Sequence, residues 1–145
     1  MNARLILIVI TLIFAAISVS AQEVPAGEEK LENQILKPTF IFGDIVFANK
    51  AMATIDIKGS EVDPFLQMQA RLEGFINAAK EQEVTNTDSV TVQLTVAEAN
   101  NLILFLERAT LSGANAVRYK RFTDALRSSA TALLEERKKK KPTGN

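Results

Sequence analysis

The sequence predicts an α+β domain: a small three- to four-stranded, mainly antiparallel sheet with three helices packed on one face. The expected order is β-β-α-β-α-α, following an N-terminal signal peptide. Three observations predict it. Residues 90–96 (VTVQLTV) alternate apolar and polar positions, as a strand with one buried face does. Residues 64–82 carry apolar side chains at steps of three and four, as an amphipathic helix does. Two further stripes of helical period follow between 96 and 138, separated by Ser112-Gly113.

The elements follow in chain order. Met1 to Arg4 carries one positive charge, Leu5 to Val19 is an apolar run, and Val19-Ser20-Ala21 offers small residues before Gln22. That order predicts a secretory signal over 1–21, cut between Ala21 and Gln22. The apolar run is shorter than the roughly 20 residues of a membrane-spanning helix. An uncleaved anchor formed by residues 5–19 is the alternative. Residues 22–38 are polar and contain Pro25, Gly27 and Pro38. They read as a flexible linker, with one helical turn around Leu31–Leu36.

Residues 39–47 (TFIFGDIVF) are apolar on both parities and rich in aromatic and β-branched residues, which suits a strand buried on both faces. Gly43-Asp44 suggests a bulge or a split within it. Such a strand needs cover on its second face, from a dimer partner or from 22–38 folding back. Residues 51–58 (AMATIDIK) alternate and read as a second strand, joined by a short turn into an antiparallel hairpin. Asp63 then Pro64 reads as an N-cap and first helical position. The stripe of that helix is Phe65, Met68, Leu72, Phe75, Ile76 and Ala79. After a turn over 83–89 and the strand 90–96, Thr95-Val96-Ala97-Glu98 forms a capping box. It opens a helix over 96–111 with Ala99, Leu102, Ile103, Leu106 and Ala109 inward. A last helix over 114–138 carries Tyr119, Phe122, Leu126, Ala130 and Leu133. The domain thus spans 39–138, and 139–145 reads as a basic disordered tail.

Composition removes several chemistries. The chain has 145 residues and contains neither cysteine nor histidine. Disulfides, thiolate metal sites and cysteine nucleophiles are therefore out, and so are the commonest general base and metal ligand. No Asn-x-Ser/Thr acceptor occurs. Ser60, Ser89, Ser112, Ser128 and Ser129 sit in no nucleophile elbow. No glycine-rich phosphate loop is present. Expected cofactors and metals are none. The acids Glu61, Asp63, Glu81 and Glu83 are the remaining acid–base groups, and their placement at helix ends reads as capping or solvation. Glu83 with Asn86-Thr87-Asp88 could offer oxygen ligands to calcium, but the spacing matches no EF-hand and reads as a turn.

Charge is uneven along the chain. Residues 22–98 hold 13 acids and 6 bases; residues 99–145 hold 4 acids and 10 bases. The candidate interaction surface is Arg118, Lys120, Arg121 and Arg127 on the last helix, with Lys138, Lys139, Lys140 and Lys141 after it. A basic amphipathic helix suits an acidic partner or an anionic membrane surface. The blander reading is a core helix whose cations reach past a buried stripe. Nucleic-acid binding would need stacking aromatics among these bases, and Tyr119 and Phe122 belong to the core stripe.

Together these features predict a non-enzymatic, exported binding or assembly module, bacterial in style, in the periplasm or outside the cell. It would act through the exposed sheet face or through the basic last helix and tail. Its expected partner is another envelope or secreted protein, or a second copy of itself as a homodimer; no small-molecule substrate is evident. The alternatives are a membrane-tethered envelope accessory protein and a hydrolase or lyase working with carboxylates alone.

Overall fold

The structure, a computed structural model, describes residues 8–9 and 30–140. The cleavage position between Ala21 and Gln22, and Lys141, lie outside the described residues. The fold is α+β. Its strands are β1 (Ile8–Val9), β2 (Ile35–Leu36), β3 (Thr39–Ile41), β4 (Ser89–Thr91) and β5 (Leu94–Thr95). Its helices are α1 (Phe42–Met52), α2 (Val62–Glu81), α3 (Val96–Leu106) and α4 (Gly113–Lys140). Single 3-10 turns span Leu31–Asn33 and Gly59–Glu61.

The strands make a simpler object than their number suggests. β2 pairs antiparallel with β5, and β3 pairs antiparallel with β4. Ile35 faces Thr95, Leu36 faces Leu94, Thr39 faces Thr91 and Phe40 faces Val90. The register is one and the same throughout. The four strands are therefore one antiparallel ribbon, residues 34–42 against 88–96. Three further bonds keep that register: the Val96 amide to the Gln34 carbonyl, Val92 to Pro38, and Phe42 to Asp88. The ladder breaks in the middle because Pro38 has no amide to donate. β1 adds a parallel pair on the outer side of β4.

Alternation decides the faces. Leu36, Pro38, Phe40, Val90, Val92 and Leu94 point into the core, while Ile35, Lys37, Thr39, Ser89 and Gln93 are exposed. The Thr39 and Thr91 hydroxyls meet across the open face at 2.8 Å. The helices cover the buried face, with α1 packed against both α2 and α4. The Phe65 and Phe105 rings join α2 to α3 edge to face, with centroids 5.5 Å apart.

Several sequence expectations are corrected. The segment 39–47 is a strand only to Ile41; from Phe42 it is helix α1. This helix is the centre of the core, with Phe42, Gly43, Asp44, Ile45, Phe47, Ala48, Ala51 and Met52 all buried. A helix buried nearly all round shows no polar face, so its sequence reads like a strand buried on both sides. Gly43 marks a close approach rather than a bulge. A Cβ there would lie 2.9 Å from the Asn86 carbonyl oxygen, which already accepts the Gly43 amide at 3.0 Å.

The expected strand 51–58 and its hairpin are absent. Ala51 and Met52 end α1, and Ala53 to Lys58 is a connector in which Ile55 and Ile57 are partly buried. Among the described residues the helices number four rather than three, and β-β-α-β-α-α becomes two strands, two helices, two strands and two helices after β1. The expected linker 22–38 also ends early. Leu36 is 2 % exposed and belongs to the core.

The later elements follow the expectation closely. α2 buries all six residues of the predicted stripe. It starts at Val62 rather than Pro64, so Asp63 is an exposed first-turn residue and not the N-cap. Thr95 caps α3 reciprocally: the Glu98 amide donates to its hydroxyl, and the Thr95 amide donates to the Glu98 carboxylate at 2.7 Å. α3 ends at Leu106, five residues short of the expected 111. α4 runs through Lys140, so Lys139 and Lys140 are helical rather than tail.

Candidate interaction groove

Helix α4 is pinned to the ribbon by its apolar side. Phe122 and Leu126 are buried, and the Phe122 ring stacks on Phe40 with centroids 4.5 Å apart and planes 14° apart. A second pin is ionic. Arg121 Nε and Nη2 donate to the two carboxylate oxygens of Asp44 at 2.9 and 2.7 Å. The Asp44 side chain is 2 % exposed and Arg121's is 52 % exposed. The hydrogen bonds to Asp44 first, and its charge second, raise the Arg121 pKa above the ordinary guanidinium value. Asp44 sits in the first turn of α1, where a carboxylate also meets the positive end of the helix dipole.

The predicted basic surface is therefore not a single patch. Arg121 is committed to Asp44. Lys120 pairs with Asp124 one turn on, and Arg127 lies 3.9 Å from Glu107. Both pairs are exposed, so each contributes little. Arg118, Lys138 and Lys139 are exposed, and Lys140 ends the helix.

The feature that sequence reasoning missed lies along one flank of α4. There the helix and residues 35–39 enclose a crevice of about 630 Å³. Ala125, Ser128, Ser129, Ala132, Leu133 and Glu136 form the helical wall; Ile35, Leu36, Lys37, Pro38 and Thr39 form the other. Small side chains at 125, 128, 129 and 132 keep that helical wall low. The ribbon register fixes what the other wall presents. Gln34, Leu36, Pro38, Phe40 and Phe42 turn their backbone groups toward the partner strand, so those of Ile35, Lys37 and Thr39 turn outward. The Lys37 amide accordingly donates to the Ser129 hydroxyl at 3.1 Å. Among the described residues, that is the hydrogen bond recorded on this edge.

The opposite edge of the ribbon is engaged at Gln93 and Thr95: Arg71 Nη2 donates to the Gln93 carbonyl, and the Thr95 amide is capped by Glu98. β1, which runs beside β4, belongs to the segment that the sequence predicts to be cleaved. Arg71 also lies 3.5 Å from the Glu98 carboxylate and over the Phe75 ring.

The candidate acids do not converge. Glu61 accepts from the Lys58 amide and from Arg108 Nη1 at 2.7 and 2.9 Å, while Arg108 also donates to the Asp56 carbonyl. The Lys58 amide first, and Arg108 next, hold the Glu61 carboxyl below its usual range. Glu81 and Glu83 are exposed at the far end of α2. Twenty residues of helix put the two pairs about 30 Å apart, against the roughly 5–9.5 Å between carboxylates in a glycosidase site. Asp88 closes the 85–88 turn by accepting from the Thr85 amide and hydroxyl, the amide first, which lowers its pKa. Among the described residues, no group of three or more His, Cys, Asp or Glu could hold a metal ion. Nor is any helix there long and apolar enough to cross a membrane.

Compared with protein-family models, with curated proteins and with solved structures, the chain matches none.

Proposed function

We propose that this chain is an exported, non-enzymatic binding module that acts through the flank of α4. The observation that carries this reading is the crevice along an outward-turned strand edge, walled by a helix. Outward-turned backbone groups on one side, and a low wall of small apolar and hydroxyl side chains on the other, are what a docking segment needs. Export rests on the N-terminal pattern, and its check is the intact mass of the protein from its native envelope fraction: cleavage after Ala21 leaves Gln22–Asn145. The partner is another envelope or secreted protein.

The test is cross-linked co-purification of the tagged full-length chain from that fraction, repeated with Ser128→Trp. Ser128 is exposed on the groove wall, so the indole fills the crevice without entering the core. The expected result is one dominant partner, lost in the variant. An unchanged partner set in Ser128→Trp contradicts the assignment of the groove.

A further inference from the structure

We infer that cutting after Ala21 opens the outer edge of β4, and that a second copy of this chain closes it, strand against strand across a two-fold axis. This rests on the exported reading, through the cut, and not on the groove.

Alternation fixes which groups face outward. Asp88, Val90 and Val92 turn their amides and carbonyls toward residues 38–42, so those of Ser89 and Thr91 turn away from the ribbon. The next two outward positions are engaged, Gln93 by Arg71 and Thr95 by Glu98. β1 covers the stretch between: Ile8 pairs with Val90 and Val9 with Thr91. A strand therefore has room beside β4. Sheet edges are ordinarily guarded by lysine, proline, a bulge or a covering segment. The register from Ser89 to Thr91 is unbroken, and neither lysine nor proline stands on it. Its guard is β1, which lies inside the segment that the sequence predicts to be removed.

The bare edge is complementary to itself. Antiparallel pairing centred on Val90 puts Ser89 of each copy opposite Thr91 of the other. Each of these two pairs exchanges two backbone hydrogen bonds, which uses every group that Ser89 and Thr91 turn outward. Such a contact is isologous and closes at two copies. Charge does not oppose it. The two-fold brings the Arg71 end of each edge to the Asp88 end of the other. Glu98, 3.5 Å from Arg71, reduces that attraction, and Thr85 already holds the Asp88 carboxylate.

The test is sedimentation velocity on the protein purified from its native envelope fraction, with its intact mass measured first. A mass of the full 1–145 chain leaves β1 in place and overturns both the exported reading and this inference. For Gln22–Asn145 the expected species is a dimer and nothing larger. The paired stretch is short, well under the roughly 1,600 Å² of a standard interface, so the dimer is expected to form as concentration rises from about 10 µM to about 1 mM. Thr91→Pro removes an amide that bonds outward only. It is expected to weaken the dimer at least about ten-fold while circular dichroism stays unchanged. Thr91→Val keeps the amide, loses the hydroxyl contact with Thr39, and is expected to leave the dimer as it was. In the unaltered chain, amide hydrogen exchange at Ser89 and Thr91 is expected to slow as concentration rises. A monomer throughout, a dimer without that protection, or a dimer that a folded Thr91→Pro variant keeps intact overturns the inference and leaves the exported reading and the groove standing.

Discussion

Asp44 is the residue on which most depends. Its carboxylate is buried in the core, and its charge is compensated by the half-exposed Arg121. Removing the cation leaves a buried, unpaired charge, which is the costly way to break such a pair. Arg121→Ala is therefore expected to destabilise the domain, by less than the loss of one partner of a fully buried pair because water can reach the arginine's place. Asp44→Asn in the same background should recover part of that loss. Urea unfolding of the two single variants and the double variant measures it; additive losses would show the groups to be independent. Glu83 gives the opposite sign. It sits at φ 55° as the left-handed residue after α2, where the Glu83 amide donates to Lys80 and the Val84 amide to Ala79. That is a Schellman closure built without glycine. Glu83→Gly is expected to stabilise by up to about 1 kcal/mol, and Glu83→Val to destabilise. Thermal unfolding of both variants tests the sign.

Among the elements, α1 depends on a close approach and α3 on its cap. Gly43→Ala forces the 85–88 turn away from α1 and should cost about 1–3 kcal/mol. Thr95→Ala removes one half of a capping box and should cost about 1 kcal/mol. Equilibrium unfolding that ranked Thr95→Ala above Gly43→Ala would contradict this reading of the packing. The two elements also show what pattern carries and what it does not. α2 and the Thr95 cap were legible because α2 is exposed on one side, and because a cap is a local signal spanning four residues. α1 was not legible, because burial all round erases the period that distinguishes helix from strand. Phe105, buried on α3, escaped for a related reason: the inner face of that helix is wider than the stripe read from spacing.

At the scale of the molecule, the described residues 30–140 form one ribbon closed by four helices, and the long-range pairing joins residues 34–42 to 88–96. The sequence signals the second of those strands and, of the first, only Thr39–Ile41, because the first is interrupted by Pro38 and runs straight into α1. The groove inherits that difficulty. Its walls come from residues 35–39 and 125–136, which no short motif links. Only the small residues at 125, 128, 129 and 132 hinted at a low helical wall. The basic residues were legible as charge, but the partner of Arg121 was set by the tertiary fold. Stability of the whole also has an acid limit. Glu61 and Asp88 are held below their unfolded values of 4.5 and 3.8. Lowered carboxyl pKa values contribute stability above those unfolded values and lose it as pH falls through the folded ones. Urea midpoints are therefore expected to hold toward neutrality and to drop below about pH 4.5. The Glu61→Gln variant should show a shallower drop, and a drop of unchanged steepness would remove Glu61 from the account.

The most direct test of the central claim is positional. A photoreactive side chain is placed at Ser128 in the groove, or at Glu73 on the exposed side of α2, in the full-length chain in its native cells. The groove reading predicts one dominant cross-linked polypeptide from Ser128 and none in common from Glu73. The same products from both positions, or a dominant product from Glu73 alone, would contradict it.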